Sequence, residues 1–178
     1  MVLNFDLEVD VKALVTYYSE SGNTRKVAEA IFAGLKTKDK SIMEISEVSK
    51  VEGFDIIFCG FPVIEHSVPT KMQAFLKRMP AGSKLAFFAT HGVQRGGAKA
   101  TTAFETAGSL AQSSKVLGTF GVRGEVKDAV IEAHEDNLVH QSWTEEAVTA
   151  TGHPNDADLE DATAFANKIL EKIKYQAA

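Results

Sequence analysis

The sequence predicts an α/β protein, a doubly wound five-stranded parallel sheet in the order 2-1-3-4-5, with an extra helical insert before the last helix. Three observations carry this. Short β-prone apolar runs alternate with segments of helical period along the 178 residues. Most of the runs are apolar at successive positions, as strands covered on both faces require. The alternation demands crossovers, and five parallel strands with helices on both faces of one small sheet suit that order. Residues 1–178 read as a single domain of a size that supports a sizeable core, with no repeats and no low-complexity linker.

Taken in order, residues 3–11 alternate strictly, Leu3, Phe5, Leu7, Val9 and Val11 against polar neighbours, so residues 1–11 read as an N-terminal strand or extended arm. Residues 13–18 (ALVTYY) form the first buried run. Val27, Ala28, Ile31, Phe32 and Leu35 then recur at helical spacing over 24–35. A short strand is expected at 41–45 and a second buried one at 54–60. A helix follows at 69–78, with Met72, Phe75, Leu76 and Met79 on one face. Residues 84–90 (KLAFFAT) are the third buried strand, 98–112 a helix rich in small residues, and 116–122 the last strand. The last helix starts near Asp156, capped by Asn155 or Asp156, and runs to about Tyr175. Between strand and helix, residues 125–155 form the insert, with helices expected near 126–138 and 143–150.

The composition is that of a soluble globular protein, 44% hydrophobic and 24% charged. A single cysteine, Cys59, excludes an internal disulfide framework and suits a reducing compartment. The acidic N-terminus is unlike a signal peptide, and no apolar run approaches the ~20 residues that span a bilayer. The expectation is a cytoplasmic protein with no membrane role. Of the net charge of −5, residues 128–167 carry ten acids and no Lys or Arg. No basic stripe accompanies the aromatics, so a nucleic-acid partner is not expected.

In an open α/β sheet, ligands bind beyond the carboxyl ends of the strands where the strand order reverses. That directs attention to residues 19–24, 61–69 and 91–98. The first loop contains three hydroxyls, one amide and one glycine, but no Lys or Arg. It leads into a helix N-terminus, whose free N–H groups and roughly half-unit positive charge favour an anion. The loop lacks the lysine of a nucleotide-triphosphate loop and the three glycines of a dinucleotide site. The strand ends Tyr-Tyr-Ser and Cys-Gly-Phe also lack the acids of a phosphorelay receiver. A neutral phosphate cradle remains. No metal site is expected, because His134-Glu135 is followed by His140 six residues beyond His134, not four.

The stretch VTYYSESGNTRKVAEAI resembles the phosphate-loop signature of the flavodoxin family, which Tyr17, Ser19, Gly22, Thr24, Ala28 and Ile31 satisfy. Thr16 departs, since the family prefers an apolar residue there. GFPVI after the third strand and ATHG after the fourth resemble the family's flavin loops, and GHPNDADL precedes the last helix as in its relatives. The resemblance implies bound FMN. Ser19, Glu20, Ser21, Gly22, Asn23 and Thr24 would hold its phosphate, and Pro62, Val63 and Ile64 would flank the isoalloxazine ring. Thr90, His91, Gly92, Gly96 and Gly97 would meet its pyrimidine edge and other side. A His91 at that edge would donate to the reduced ring, and Arg95 would act similarly. Two features depart from electron-carrier flavodoxins. Residues 61–69 and 91–98 contain no Tyr or Trp, and Ile64 or Glu65 stands where carriers often have glycine.

The resemblance thus implies an FMN-binding redox protein that transfers electrons to a partner enzyme. Two alternatives stand beside it. One is an FMN-dependent NAD(P)H oxidoreductase acting on a quinone-like small acceptor, a kind that often oligomerises and for which the 3–11 arm would serve. The other is an accessory subunit that docks on a larger reductase through the insert.

Overall fold

The computed structural model describes residues 10–137 and 139–177, so the expected N-terminal strand or arm lies almost wholly outside the described residues. The sheet has five parallel strands, β1 (Ala13–Tyr17), β2 (Lys40–Glu44), β3 (Ile56–Pro62), β4 (Lys84–His91) and β5 (Lys115–Arg123), in the order β2-β1-β3-β4-β5. The helices are α1 (Asn23–Gly34), α2 (Thr70–Lys77), α3 (Ala98–Leu110), α4 (Asp128–Glu135), α5 (Gln141–Val148) and α6 (Asp156–Ala177). The expected doubly wound architecture is present. Most boundaries differ from the sequence expectation by one to three residues, and the insert forms two helices, the first shorter at both ends than its expected span and the second shifted two residues towards the N-terminus.

Successive strand residues feed two cores, because side chains alternate across a sheet. Leu14, Ile57, Cys59, Phe61, Leu85 and Phe87 pack against Met72, Phe75 and Leu76 of α2 and Ala103 and Ala107 of α3. Ala13, Val15, Ile56, Phe58, Ala86 and Phe88 face Val27, Ala28 and Ile31 of α1 and Ala162, Ala166, Ile169 and Leu170 of α6. Full burial of such a Phe, Leu or Ile contributes about 1.5–3 kcal/mol. Gly60 makes room for a large neighbour. A Cβ there would lie 2.1 Å from ring carbons of Phe88, its register partner on β4.

Burial raises the Cys59 thiol well above its ordinary range, so it stays protonated and is a packing residue. Phe61, an aromatic of the expected flavin loop, is fully buried and sits edge-on to Phe87 and Phe104 at 6.3 and 6.0 Å.

Helix α6 begins with a reciprocal cap. Asn155 Oδ1 accepts the Asp158 N–H at 3.1 Å, and Asp158 Oδ2 accepts the Asn155 N–H at 2.9 Å. Asn155 is therefore the capping residue of the two expected candidates. The Asp158 carboxylate works against its own burial. Hydrogen bonds from Asn155 and His153 and the charge of Arg95 outweigh that burial and hold its pKa below the usual carboxylate range.

Thr16, the residue that departs from the family signature, is fully buried, and its hydroxyl has no hydrogen-bond partner among the described residues. A buried unsatisfied hydroxyl costs about 1–3 kcal/mol. Thr16→Val should therefore stabilise the fold by about 1 kcal/mol or more, read as a higher urea midpoint at unchanged slope.

Candidate functional site

The carboxyl ends of β1, β3, β4 and β5 meet along one edge of the sheet, where side chains leave the two cores and polar loops begin. The turn from β1 into α1 is short. Gly22, immediately before α1, has φ +96°, a left-handed conformation that favours glycine. Ser19 Oγ accepts the N–H groups of Gly22 (3.1 Å) and Arg25 (3.3 Å), so this hydroxyl shapes the turn itself. Tyr18 OH donates to Glu20 Oε1 at 2.7 Å. The backbone N–H groups of Ser21, Asn23 and Thr24 find no acceptor among the described residues. Unpaired donors at a helix N-terminus, with no cation, fit a small anion.

The loops are tied to one another. The buried hydroxyls of Thr24 and Thr90 share a hydrogen bond of 2.8 Å, joining the loops after β1 and β4. Asn23 Nδ2 donates to the Glu125 carbonyl at 2.8 Å, and the Gly124 N–H donates to the His91 carbonyl at 3.0 Å. The loop after β5 is thereby a further wall of the site. It is anchored in turn by the Glu125 N–H on the His153 carbonyl (2.7 Å) and by Glu125 Oε2 on the Gly152 N–H (2.9 Å).

Two cavities open here. One, of about 270 Å³, runs from Ser21 and Asn23 past Pro62–Ile64 and Thr90–Gly92 to Gly124–Lys127. The other, of about 700 Å³, is lined by residues 63–66, residues 91–93, Lys99, Val126, Val130, His134, His140 and Trp143. They share Glu20, Val63, Ile64, His91, Gly92, Val126 and Val130 and form one chamber with a polar end at α1 and a broad, largely apolar end below α4 and α5. A further groove of about 640 Å³ between α1 and α6 is remote from the strand ends.

Most of the residues singled out in the sequence meet in this chamber, but not all of them. Ser19, Gly22 and Thr24, in the turn and at the start of α1, line neither cavity, and nor do Gly96 and Gly97. Arg95 draws their loop towards α6, pairing with Asp158 at 2.8 Å and Asp161 at 2.6 Å, with its guanidinium 5.2 Å from the Phe120 ring centre. His91 lines both cavities, yet its ring is 5% exposed and turned inward. Nδ1 donates to the Val93 carbonyl at 2.9 Å, and Nε2 has no partner among the described residues; a Cβ on Gly121 would lie 2.8 Å from it. Burial lowers the His91 pKa against the help of the Val93 carbonyl, and the charges of Arg123 and Arg95 push the same way.

Sequence reasoning missed Gly124–Lys127, Val130, His134, His140 and Trp143. The signal available was the rule already applied to three loops, since β5 is also a parallel strand whose carboxyl end opens on the site. The insert is fixed beside it by Arg123, which donates to the Glu146 carbonyl (2.9 Å), the Thr149 carbonyl (3.0 Å) and the Thr149 hydroxyl (2.7 Å) at the end of α5. Gln94 N–H donates to Glu146 Oε1 at 2.6 Å, joining α5 to the β4 loop.

The family profile described as a flavodoxin domain matches residues 14–167, the sheet but for Ala13 and the helices as far as the middle of α6. The chain belongs to the flavodoxin family. A curated relative, the flavodoxin-like domain-containing protein BilS of Clostridioides difficile (strain CD3), is 24% identical over 174 residues, covering 91% of this chain and 98% of the relative. A flavodoxin from the domain Archaea superposes with a TM-score of 0.61 at 20% identity, over 92% of this chain and 99% of the other. A flavoprotein from Lactobacillus acidophilus NCFM, solved in complex with FMN, gives a TM-score of 0.52 at 20% identity, over 62% and 93%. At these identities the likeness to the solved structures is one of fold. Among the described residues, no helix of this flavodoxin-family protein is long and apolar enough to cross a membrane.

The loop after β3 holds a strained turn. Ile64 and Ser67 exchange backbone hydrogen bonds of 3.1 and 2.9 Å around Glu65 and His66, whose φ values are +49° and +62°. Positive φ at both central residues marks the type I′ turn, which favours Asn-Gly and costs other residues about 1–2 kcal/mol each. Replacing Glu65-His66 by Asn-Gly should stabilise the protein by about 1 kcal/mol in a urea melt, after allowance for the added freedom of glycine in the unfolded chain.

The His91 ring generates a prediction of opposite sign. Below pH 6.5 the unfolded chain takes up a proton at this residue while the folded chain, with its lowered pKa, does not. The unfolded state then binds more protons, so stability falls as the pH drops below 6.5. Urea midpoints measured from pH 7.5 to 5.0 should decline less steeply in His91→Gln than in the parent protein.

Proposed function

We propose that this flavodoxin-family protein binds FMN and passes electrons to a partner enzyme, working in the reducing cytoplasm that its single buried cysteine allows. The observation that carries the reading is the chamber's polarity. A cradle of unpaired N–H groups at the α1 N-terminus, in a loop that has no Lys or Arg of its own, opens into an apolar space between the β3 and β4 loops. A phosphate suits the first and a flat ring the second. The likeness of fold to the flavoprotein from Lactobacillus acidophilus NCFM, solved in complex with FMN, supports the reading.

When bound, FMN supplies a ring that accepts and releases one or two electrons. The protein's part is to hold and shield it. Ser21, Asn23 and Thr24 would present N–H donors to the phosphate, Gly22 gives the turn its left-handed backbone, and the Thr24–Thr90 hydrogen bond ties the cradle to the β4 loop. Pro62, Val63 and Ile64 would flank the ring, Thr90, His91 and Gly92 would meet its pyrimidine edge and other side, and Val126 and Val130 add apolar lining to both cavities. Ile64 is 37% exposed at the rim, an apolar contact for a redox partner. His91 orders the β4 loop through Val93, and Gly96 and Gly97 serve that loop's path rather than the ring.

The breadth of the chamber favours a second reading, an NAD(P)H oxidoreductase whose small quinone-like acceptor enters below α4 and α5. Stepwise reduction separates the two. A one-electron plateau in the spectrum supports the carrier, whereas direct two-electron reduction by NAD(P)H alone supports the enzyme.

The purified protein should bind FMN one to one. Gly22→Val forces a β-branched residue into positive φ and should weaken FMN by about tenfold or more. Thr24→Ala should weaken it by breaking the link to Thr90. Isothermal titration checks both, and no binding at excess FMN would end the proposal.

A further inference from the structure

We infer that the α4–α5 insert completes the flavin-ring site, and that Trp143 supplies the aromatic face which the two loops flanking the ring lack. The inference rests on the FMN reading above and assigns a binding role to a segment outside the family signature.

Neither flanking loop offers an aromatic surface. Residues 61–69 and 91–98 contain no Tyr or Trp. Phe61, at the head of the first, is consumed by the core. Tyr18, nearest on the β1 side, is held by Glu20 and lies beneath the Lys71 ammonium at 5.4 Å, and it lines neither cavity. The insert brings in the sequence's one tryptophan. Trp143 lines the broad end of the chamber together with Val63, Ile64 and Val93. An indole beside a flat, electron-poor ring offers a large stacking surface with few torsions to freeze.

The indole is held in place before any ligand arrives. The His134 ring stands edge-on to it at 5.4 Å, and His140 stands edge-on to His134 at 5.2 Å. His134 Nδ1 donates to the Val130 carbonyl at 2.7 Å, which fixes its ring. Arg123 and Gln94 fasten the far end of α5 to β5 and the β4 loop. A side chain so placed loses little freedom on meeting a ring, which is the condition for a useful contact.

The test uses the full chain loaded with FMN. A stacked indole quenches flavin emission, because the excited ring takes an electron from it and returns the electron without light. Phenylalanine keeps a face but cannot donate that electron. FMN in the parent protein should therefore be dark. Trp143→Phe should bind with an affinity within about threefold of the parent and emit brightly. Trp143→Ala should bind about tenfold more weakly. Circular dichroism confirms that each variant is folded. A bright parent complex would overturn the inference. So would FMN that stays dark in Trp143→Phe at unchanged affinity, or a Trp143→Ala variant matching the parent in both readouts. In those cases FMN still binds and the cofactor reading survives, whereas a parent protein that binds no FMN ends both.

Discussion

The site depends on one constraint, the burial of a parallel sheet on both faces. Covered strands cannot carry polar side chains along their length, so donors and acceptors collect where the strands end. In a parallel sheet all the carboxyl ends lie on one edge. Ser19–Thr24, Pro62–Ile64, Thr90–Gly92 and Gly124–Lys127 are four such ends, and the order β2-β1-β3-β4-β5 puts the last three side by side with the first. The chamber follows from that arrangement before any side chain is specialised.

Hydrogen bonds between loops convert nearness into a fixed shape. The Thr24–Thr90 pair, Asn23 on Glu125 and Gly124 on His91 join three loops that are distant in sequence. Each of these bonds occupies a group that sequence reasoning reserved for a ligand. Ser19 and Thr24 act on the frame of the site, and His91 both frames and bounds it. What remains for an anion is mainly backbone N–H, which explains how a cradle without Lys or Arg can work.

The insert changes the character of the open end. Arg123, 9% exposed, projects from β5 and caps α5 with three hydrogen bonds. A buried cation with several acceptors is costly to move, because any lost partner leaves charge in a poorly solvated place. It therefore pins α5, and with it Trp143 and Glu146, against the β4 loop. On the opposite side, Arg95 pulls residues 94–97 towards α6. The two arginines set where the chamber is closed and where it is open.

The sequence by itself determined the fold class and the strand order and marked residues 19–24 as the expected anion cradle, because each rests on local signals. Continuous apolar runs report double burial, helical spacing reports a single buried face, and a small-residue loop before a helix reports free N–H groups. It marked Thr16 as a departure from the family signature, and the fold buries its hydroxyl without a partner among the described residues. Tertiary structure decided what depends on direction and on partners far along the chain. The inward turn of the His91 ring is set by the Val93 carbonyl and Gly121. The departure of Gly96 and Gly97 is set by Asp158 and Asp161 more than sixty residues away, and Trp143 enters the chamber because Arg123 holds its helix there. Periodicity records which face of an element is buried. It does not record where a loop side chain points, since that is fixed by contacts made only when the chain has folded.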